Sequence, residues 1–130
     1  MKVLVVDDDP EMLLLVGTVL RKLGGFETVL VQDPLQVCDL ARTEHADAIL
    51  MDVLMEPVGG PEVLSRLAAD PQTRDIPVIF LTGNAEPNES RRLCELGARG
   101  VIAKPIKPAT LVSDFRAILA RVGLPDQGSG

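Results

Sequence analysis

The sequence is poor in aromatic residues and in side chains that bind soft metals. It has three Phe and no Tyr or Trp, so aromatic residues make up 2% of its 130 residues. We therefore expect an aliphatic core and exclude any role that needs a Tyr or a Trp. The two cysteines, Cys38 and Cys94, form no CxxC pair, and the single histidine, His45, lies in a polar segment. These features argue against a thiolate metal site. They predict two buried, reduced thiols and a solvated His45 without a catalytic role.

Long apolar runs and an excess of basic residues are also missing. No apolar run approaches the roughly 18 residues of a membrane span, and acidic residues begin at Asp7, too early for a signal peptide. Thirteen Lys and Arg against nineteen Asp and Glu give a net charge of -6. This balance argues against direct nucleic-acid binding, because phosphates need clustered cations. The GxxxxGK[ST] motif is absent, which excludes a P-loop. We expect a cytoplasmic protein that binds neither membrane nor nucleic acid.

The sequence does contain short apolar runs that alternate with longer amphipathic segments. Hydrophobic residues are 46% of the chain, enough to give one domain a core. Asp9-Pro10 and Asp33-Pro34 are typical of helix starts. The pattern predicts an α/β fold, a doubly wound five-stranded parallel sheet with helices on both faces. The predicted strands are Lys2–Val6, Glu27–Val31, Asp47–Met51, Pro77–Leu81 and Gly100–Ala103, and the helices begin at Pro10, Pro34, Pro61, Pro87 and Pro108.

Acidic, hydroxyl and basic side chains follow four of the five predicted strands. Because the carboxyl ends of parallel strands lie at one edge of a sheet, we expect these side chains to converge there. Clustered carboxylates repel one another unless a cation compensates, and Mg²⁺ prefers such oxygen ligands. Capping of the first helix by itself accounts for one of the acids, Asp9. The converging residues are Asp7, Asp8 and Asp9 after the first strand, Asp52 after the third, Thr82 after the fourth and Lys104 after the fifth.

These residues predict phosphoryl transfer. Asp52 is the candidate nucleophile, since an aspartate carboxylate can attack phosphorus and form an aspartyl phosphate. Lys104 and Mg²⁺ would neutralise charge on the transferring phosphoryl oxygens. Thr82 would donate a hydroxyl hydrogen bond to the attached phosphoryl group.

In this order and spacing, the motifs resemble the receiver domain of two-component response regulators, over nearly the whole chain from Lys2 to Val122. The similarity rests on the segments VLVVDDDP, ILMDVLM, PVIFLTG and GVIAKPI. The resemblance implies a flavodoxin-like fold with strand order 2-1-3-4-5. It also implies that Asp52 receives a phosphoryl group from a histidine kinase or a phosphotransfer protein. Such a domain is a switch and not an enzyme, because it catalyses only its own phosphoryl transfer and dephosphorylation.

The resemblance further implies a metal site and a surface that responds to phosphorylation. The phosphoryl group would draw Thr82 inward. This movement would shift the conformational equilibrium of the face formed by the fourth helix, fifth strand and fifth helix. That face would bind a downstream protein target, an output domain or a second copy of the chain. The Mg²⁺ ligands that the resemblance implies are Asp8 and Asp52, Asp7 mainly through water, and the backbone carbonyl of Leu54.

The sequence departs from the family pattern at three places. The family usually has an aromatic residue three positions before the lysine, and here that residue is Val101. The proline after the acceptor comes one position late, so Glu56 precedes it and adds a charge near the site. Two positions after the acceptor stands Leu54, which offers no group to orient an attacking water. We therefore expect a comparatively long-lived phosphoryl group and a switch without a rotating aromatic side chain.

Two other functions fit parts of the same pattern. A Mg²⁺-dependent phosphatase of the haloacid-dehalogenase type also uses an aspartate after its first strand, and Asp7 and Asp9 supply its D-x-D. That family has Thr or Val where Glu11 stands, and it has a late acidic pair that is missing here. The third possibility is a receiver-like binding module that takes no phosphoryl group. For the domain organisation we expect a receiver domain over residues 1–122 and a disordered tail or linker over residues 123–130.

Overall fold

The computed structural model describes residues 1–124 and contains one five-stranded parallel sheet. Its strand order, β2-β1-β3-β4-β5, confirms the doubly wound topology with order 2-1-3-4-5. Two strands are displaced by one residue from their predicted ranges, so Asp52 and Thr82 are the last residues of β3 and β4 and not the first residues after them. The strands are β1 (Lys2–Val6), β2 (Glu27–Val31), β3 (Ala48–Asp52), β4 (Val78–Thr82) and β5 (Gly100–Ala103).

Five α-helices connect or follow the strands, and each has a proline in its first turn or just before it. Asp9 caps the first helix as predicted, because its carboxylate accepts a hydrogen bond of 3.0 Å from the backbone N–H of Glu11. Asp33 caps in the same way, but the turn that it starts, Pro34–Gln36, is a 3-10 turn that precedes the second helix. The helices are α1 (Pro10–Lys22), α2 (Val37–Thr43), α3 (Gly60–Ala68), α4 (Pro87–Glu95) and α5 (Pro108–Arg121).

The sheet is covered on both faces, because successive residues of each strand point to opposite sides. Val5 and Leu50 pack with α1 and α5 on one face, whereas Leu4 and Ile49 pack with α2, α3 and α4 on the other. All residues of β3 and β4 are buried, which confirms the expectation from their continuous apolar runs. The core is mainly aliphatic, as the composition predicts.

Gly60 brings α3 close to the carboxyl end of β3. A Cβ atom at this position would lie 2.7 Å from the backbone oxygen of Asp52 and 2.6 Å from the ring of Phe80. The Gly60 N–H also donates a hydrogen bond of 2.8 Å to the Val53 carbonyl. The loop after β3 is therefore held close to the end of that strand. Only glycine, which has no Cβ atom, permits this close approach at position 60.

Several side chains lie elsewhere than the sequence suggests. Helical spacing predicts that Leu23 and Ala68 face inward, but both are exposed, and both lie at the C-terminal ends of their helices. The prediction of two buried thiols is wrong, since Cys38 is half-buried and Cys94 is exposed on the outer side of α4. His45 follows α2 with a φ of 52° and is exposed, which confirms that it is solvated.

No helix within residues 1–124 is long and apolar enough to cross a membrane. The predicted tail, residues 123–130, falls outside the described residues except for its first two positions, so its boundary stays a prediction.

Candidate functional site

Asp52 and Lys104 form an ion pair at the carboxyl edge of the sheet. The Lys104 ammonium lies 3.1 Å from Oδ1 of Asp52, and the Asp52 side chain is only 11% exposed. Lys104 directly follows β5, and its backbone N–H donates to the Thr82 carbonyl at the end of β4. The lysine therefore reaches across the end of β4 to the neighbouring β3. The sheet register alone brings together these two residues, which are distant in sequence.

Two further carboxylates converge beside this ion pair. Asp7 and Asp8 follow β1, which pairs with β3, and each offers a carboxylate oxygen within 4.8 Å of one on Asp52. Asp9, the next acid along the chain, points away into the cap of α1 and is exposed. The structure thus brings together three of the four acids that the sequence predicts at this edge.

Asp7 is the most deeply buried of these acids, with 2% of its surface exposed. Its Oδ1 accepts a hydrogen bond of 2.9 Å from the backbone N–H of Asp9, whereas its Oδ2 is buried without a hydrogen-bond partner. Burial, together with the smaller effect of the nearby Asp52 charge, raises the pKa of the Asp7 carboxyl to about 6. A buried carboxylate oxygen without a partner is a position that a bound cation or its water would satisfy.

Asp8 ties the loop after β3 to the acidic cluster. Its Oδ2 accepts a hydrogen bond of 2.9 Å from the backbone N–H of Glu56. The peptides Glu56–Pro57 and Lys104–Pro105 are both cis. The loop that contains the late proline, Pro57, is thus joined by a hydrogen bond to Asp8, a predicted metal ligand.

Thr82 is buried, and its hydroxyl is already engaged. It accepts a hydrogen bond of 3.0 Å from the backbone N–H of Asn84 and lies 3.1 Å from the Asn84 carbonyl, to which it can donate. These contacts close a tight turn at the start of the loop between β4 and α4. To donate to a group attached to Asp52, the hydroxyl must give up its donation to the Asn84 carbonyl.

The site opens to solvent through two clefts that share Leu54. One, of about 460 Å³, is lined by Asp52, Thr82, Lys104 and Glu89, and the other, of about 380 Å³, by Asp8 and the loop after β3. Leu54 is 81% exposed, so a large apolar side chain stands at the mouth of the site. Sequence reasoning missed Glu89, because nothing in its spacing shows that the first turn of α4 faces the Asp52 cleft.

The oxygen donors of the cluster fit a hard divalent cation. The described residues place three carboxylates within 4.8 Å of one another, with one buried oxygen unpartnered and a single lysine as counter-charge. Mg²⁺ is commonly held by one or two carboxylates together with waters and phosphate oxygens. The arrangement can therefore bind a cation, position a carboxylate nucleophile and stabilise negative charge on an incoming phosphoryl group.

Comparisons with known protein sequences agree on one family. The family model of the response regulator receiver domain matches residues 3–116. The polar-differentiation response regulator DivK of Brucella ovis is 35% identical over 96 residues, which are 74% of this chain and 78% of that protein. The phosphate regulon transcriptional regulatory protein PhoB of Pseudomonas aeruginosa is 32% identical over 124 residues, which cover 95% of this chain and 54% of that longer protein.

Solved structures give the same result. The chemotaxis response regulator CheY4 of Vibrio cholerae has a TM-score of 0.84 and 28% identity, and the match covers 91% of this chain and 98% of that one. The signal receiver domain of a histidine kinase from Syntrophus aciditrophicus has a TM-score of 0.79 and 29% identity, with 97% and 95% of the two chains covered. The likeness thus includes nearly all of the chain.

The burial of Asp7 predicts a pH-dependent cost to stability. A folded-state pKa of about 6, above the ordinary 3.8, means that ionised Asp7 destabilises the folded protein above pH 6 and that the penalty disappears as the pH falls to about 4. Without divalent cations, Asp7→Asn should raise the free energy of unfolding at pH 7.5 by about 1–3 kcal/mol. Urea unfolding of wild type and Asp7→Asn, followed by circular dichroism at pH 4 and at pH 7.5, measures this difference.

The matched control is Asp75→Asn, at an exposed position. It should leave the free energy of unfolding within about 0.5 kcal/mol of wild type at both pH values. A gap between Asp7→Asn and wild type that is the same at pH 4 and pH 7.5 would contradict the assignment.

Proposed function

Because the chain belongs to the response regulator receiver family of two-component signalling, we propose that it is a phosphorylation switch whose acceptor is Asp52. The observation that carries this proposal is the Asp52 carboxylate in an open cleft, 3.1 Å from the Lys104 ammonium and next to two further carboxylates. The proposed donor is the phosphohistidine of a histidine kinase or phosphotransfer protein. The proposed location is the cytoplasm, where such donors use ATP.

The proposed transfer needs only the groups at this edge of the sheet. A carboxylate oxygen of Asp52 attacks the phosphorus, the N–P bond breaks, and its electron pair returns to the imidazole nitrogen, which takes up a proton. Lys104 stabilises the negative charge on the phosphoryl oxygens, because its ammonium already lies beside the acceptor. Apart from gaining and losing its own phosphoryl group, the domain would act on no substrate.

The acidic cluster would hold Mg²⁺ during this transfer. The proposed ligands are Asp8 and Asp52, with Asp7 acting mainly through water and the backbone carbonyl of Leu54 completing the set. The unpartnered Oδ2 of Asp7 and the 4.8 Å clustering of the carboxylates support this assignment. When bound, the ion supplies positive charge that offsets both the carboxylates and the phosphoryl oxygens.

The signal would leave the site through Thr82 and the loop that it holds. A phosphoryl group on Asp52 offers the Thr82 hydroxyl a charged acceptor in place of the Asn84 backbone. Release of the turn would shift the loop before α4 and so change the conformational equilibrium of the face formed by α4, β5 and α5. Val101 is half-buried on this face, so the switch would work by loop movement and not by rotation of an aromatic ring. A downstream target, an output domain or a second copy of the receiver, residues 1–122, would bind there.

Phosphorylation of Asp52 can be tested directly. Incubation with acetyl phosphate and Mg²⁺ should add about 80 Da, one phosphoryl group, to the intact protein. Asp52→Asn should abolish the adduct because the nucleophile is gone, and Asp75→Asn should keep it. An excess of EDTA should lower the yield. Turnover of a small phosphate ester would instead indicate a phosphatase, and no reaction with any donor would indicate a binding module.

Leu54 predicts a slow loss of the phosphoryl group. Its exposed side chain stands at the cleft mouth and offers no polar atom to orient a water molecule. Leu54→Asn should therefore speed decay of the phosphorylated protein by at least about threefold. Leu54→Ala, which also removes bulk but adds no polar atom, should stay much closer to wild type. Equal decay rates for wild type and Leu54→Asn would contradict the role of Leu54 in slowing loss of the phosphoryl group.

A further inference from the structure

The cleft above Asp52 contains a second carboxylate, that of Glu89. Glu89 lies in the first turn of α4, and its side chain is only 25% exposed. It lines the same cleft as Asp52, Thr82 and Lys104. It is not one of the residues that the proposed transfer uses, so its place in the cleft calls for a separate explanation.

Glu89 is paired with a single arginine one turn along the helix. The guanidinium of Arg92 donates two hydrogen bonds to it, from Nε to Oε2 at 3.2 Å and from Nη2 to Oε1. These bonds lower the pKa of Glu89, so its carboxylate is charged at neutral pH. Such a bidentate contact keeps the Arg92 charge beside Glu89, which lines the cleft, and makes the pair neutral as a whole.

The charge at the rim of the cleft therefore stays balanced only while both members of this pair are present. Apart from this pair, the cleft lining carries the Asp52 carboxylate and the Lys104 ammonium, and the Asp7 and Asp8 carboxylates add negative charge beside Asp52. Loss of Arg92 would leave an uncompensated negative charge at the rim, and loss of Glu89 an uncompensated positive one. A cleft concentrates such a field and changes the rate at which charged ligands enter it.

We propose that the Glu89–Arg92 pair is a charge gate at the phosphoacceptor cleft: Arg92 neutralises the Glu89 carboxylate, so that negatively charged phosphodonors reach Asp52 without repulsion from it. The proposal rests on the phosphoryl-accepting function proposed above. Small dianionic acyl phosphates are the donors most affected, because they carry the largest charge into the cleft. A donor of lower net charge, such as the zwitterion phosphoramidate, is affected less.

The test compares the initial rates of phosphorylation by acetyl phosphate and by phosphoramidate, both with Mg²⁺ at low ionic strength. With acetyl phosphate, Glu89→Gln should be about threefold to tenfold faster than wild type, and Arg92→Gln slower by a similar factor. The double variant, neutral like the wild-type pair, should return close to the wild-type rate. With phosphoramidate each change should be within about twofold. High salt should reduce all of the differences.

The pair of Glu62 and Arg66 on α3 provides matched controls. It is a similar acid–arginine pair with a separation of 3.7 Å, both side chains are about half exposed, and neither lines the clefts of the site. Glu62→Gln and Arg66→Gln change the net charge of the protein by the same amounts. Neither should alter the ratio of the two donor rates by more than about twofold.

Two results would overturn the charge gate. One is a ratio of donor rates in Glu89→Gln equal to that in Glu62→Gln. The other is a fall in rate for both Glu89→Gln and Arg92→Gln, which would mean that the pair only supports the fold of α4. Failure of the underlying function looks different, because wild type itself would then take no phosphoryl group on Asp52 from either donor.

Discussion

Repulsion among three carboxylates at one edge of the sheet is the constraint on which the rest of the site depends. Asp7, Asp8 and Asp52 offer oxygens within 4.8 Å of one another, and one oxygen of Asp7 has no hydrogen-bond partner. Such an arrangement is unfavourable unless cations compensate for it. The Lys104 ammonium supplies part of this compensation at 3.1 Å from Asp52. A bound cation would reduce the net negative charge of this cluster, and an incoming phosphoryl group would increase it.

The sheet keeps these charges together despite their repulsion. β1 and β3 are central and paired in register, and their residues are covered by helices on both faces. The aliphatic core therefore holds the strand ends, while polar groups at those ends bond to the loops that follow. The Thr82 hydroxyl bonded to Asn84 and the Asp8 carboxylate bonded to the Glu56 N–H are two such groups. Both bond to loop backbone, so a ligand that replaced that partner would act on the loop and not on the core.

The strand ends were predictable from the sequence because the signal there is local. A continuous apolar run predicts a buried strand, and the parallel topology brings the ends of such strands to one edge. Asp52 and Lys104 could therefore be placed near each other without any coordinates. The N-caps Asp9 and Asp33 were predictable for the same reason, since each depends on the residue that directly follows it.

Features that depend on how a helix or loop is oriented escaped prediction. Glu89 faces the Asp52 cleft only because α4 packs through Leu93, its one fully buried residue, and no spacing in the chain reveals that orientation. Cys94, the next residue, points to solvent for the same reason. The contact between Glu56 and Asp8 joins residues 48 positions apart and depends on the path of the loop. Such orientations come from tertiary packing, which periodicity does not encode.

The dependence of stability on Mg²⁺ tests the central claim most directly. Because the protein has no Tyr or Trp, thermal unfolding is best followed by circular dichroism, with and without millimolar Mg²⁺ at pH 7.5. We predict that Mg²⁺ raises the Tm of wild type in a saturable way, since an ion that binds only the folded state stabilises it. Asp8→Asn should lose most of this increase, whereas Asp114→Asn, on the exposed side of α5, should keep it. An equal increase in wild type and Asp8→Asn, or none in wild type, would contradict the account.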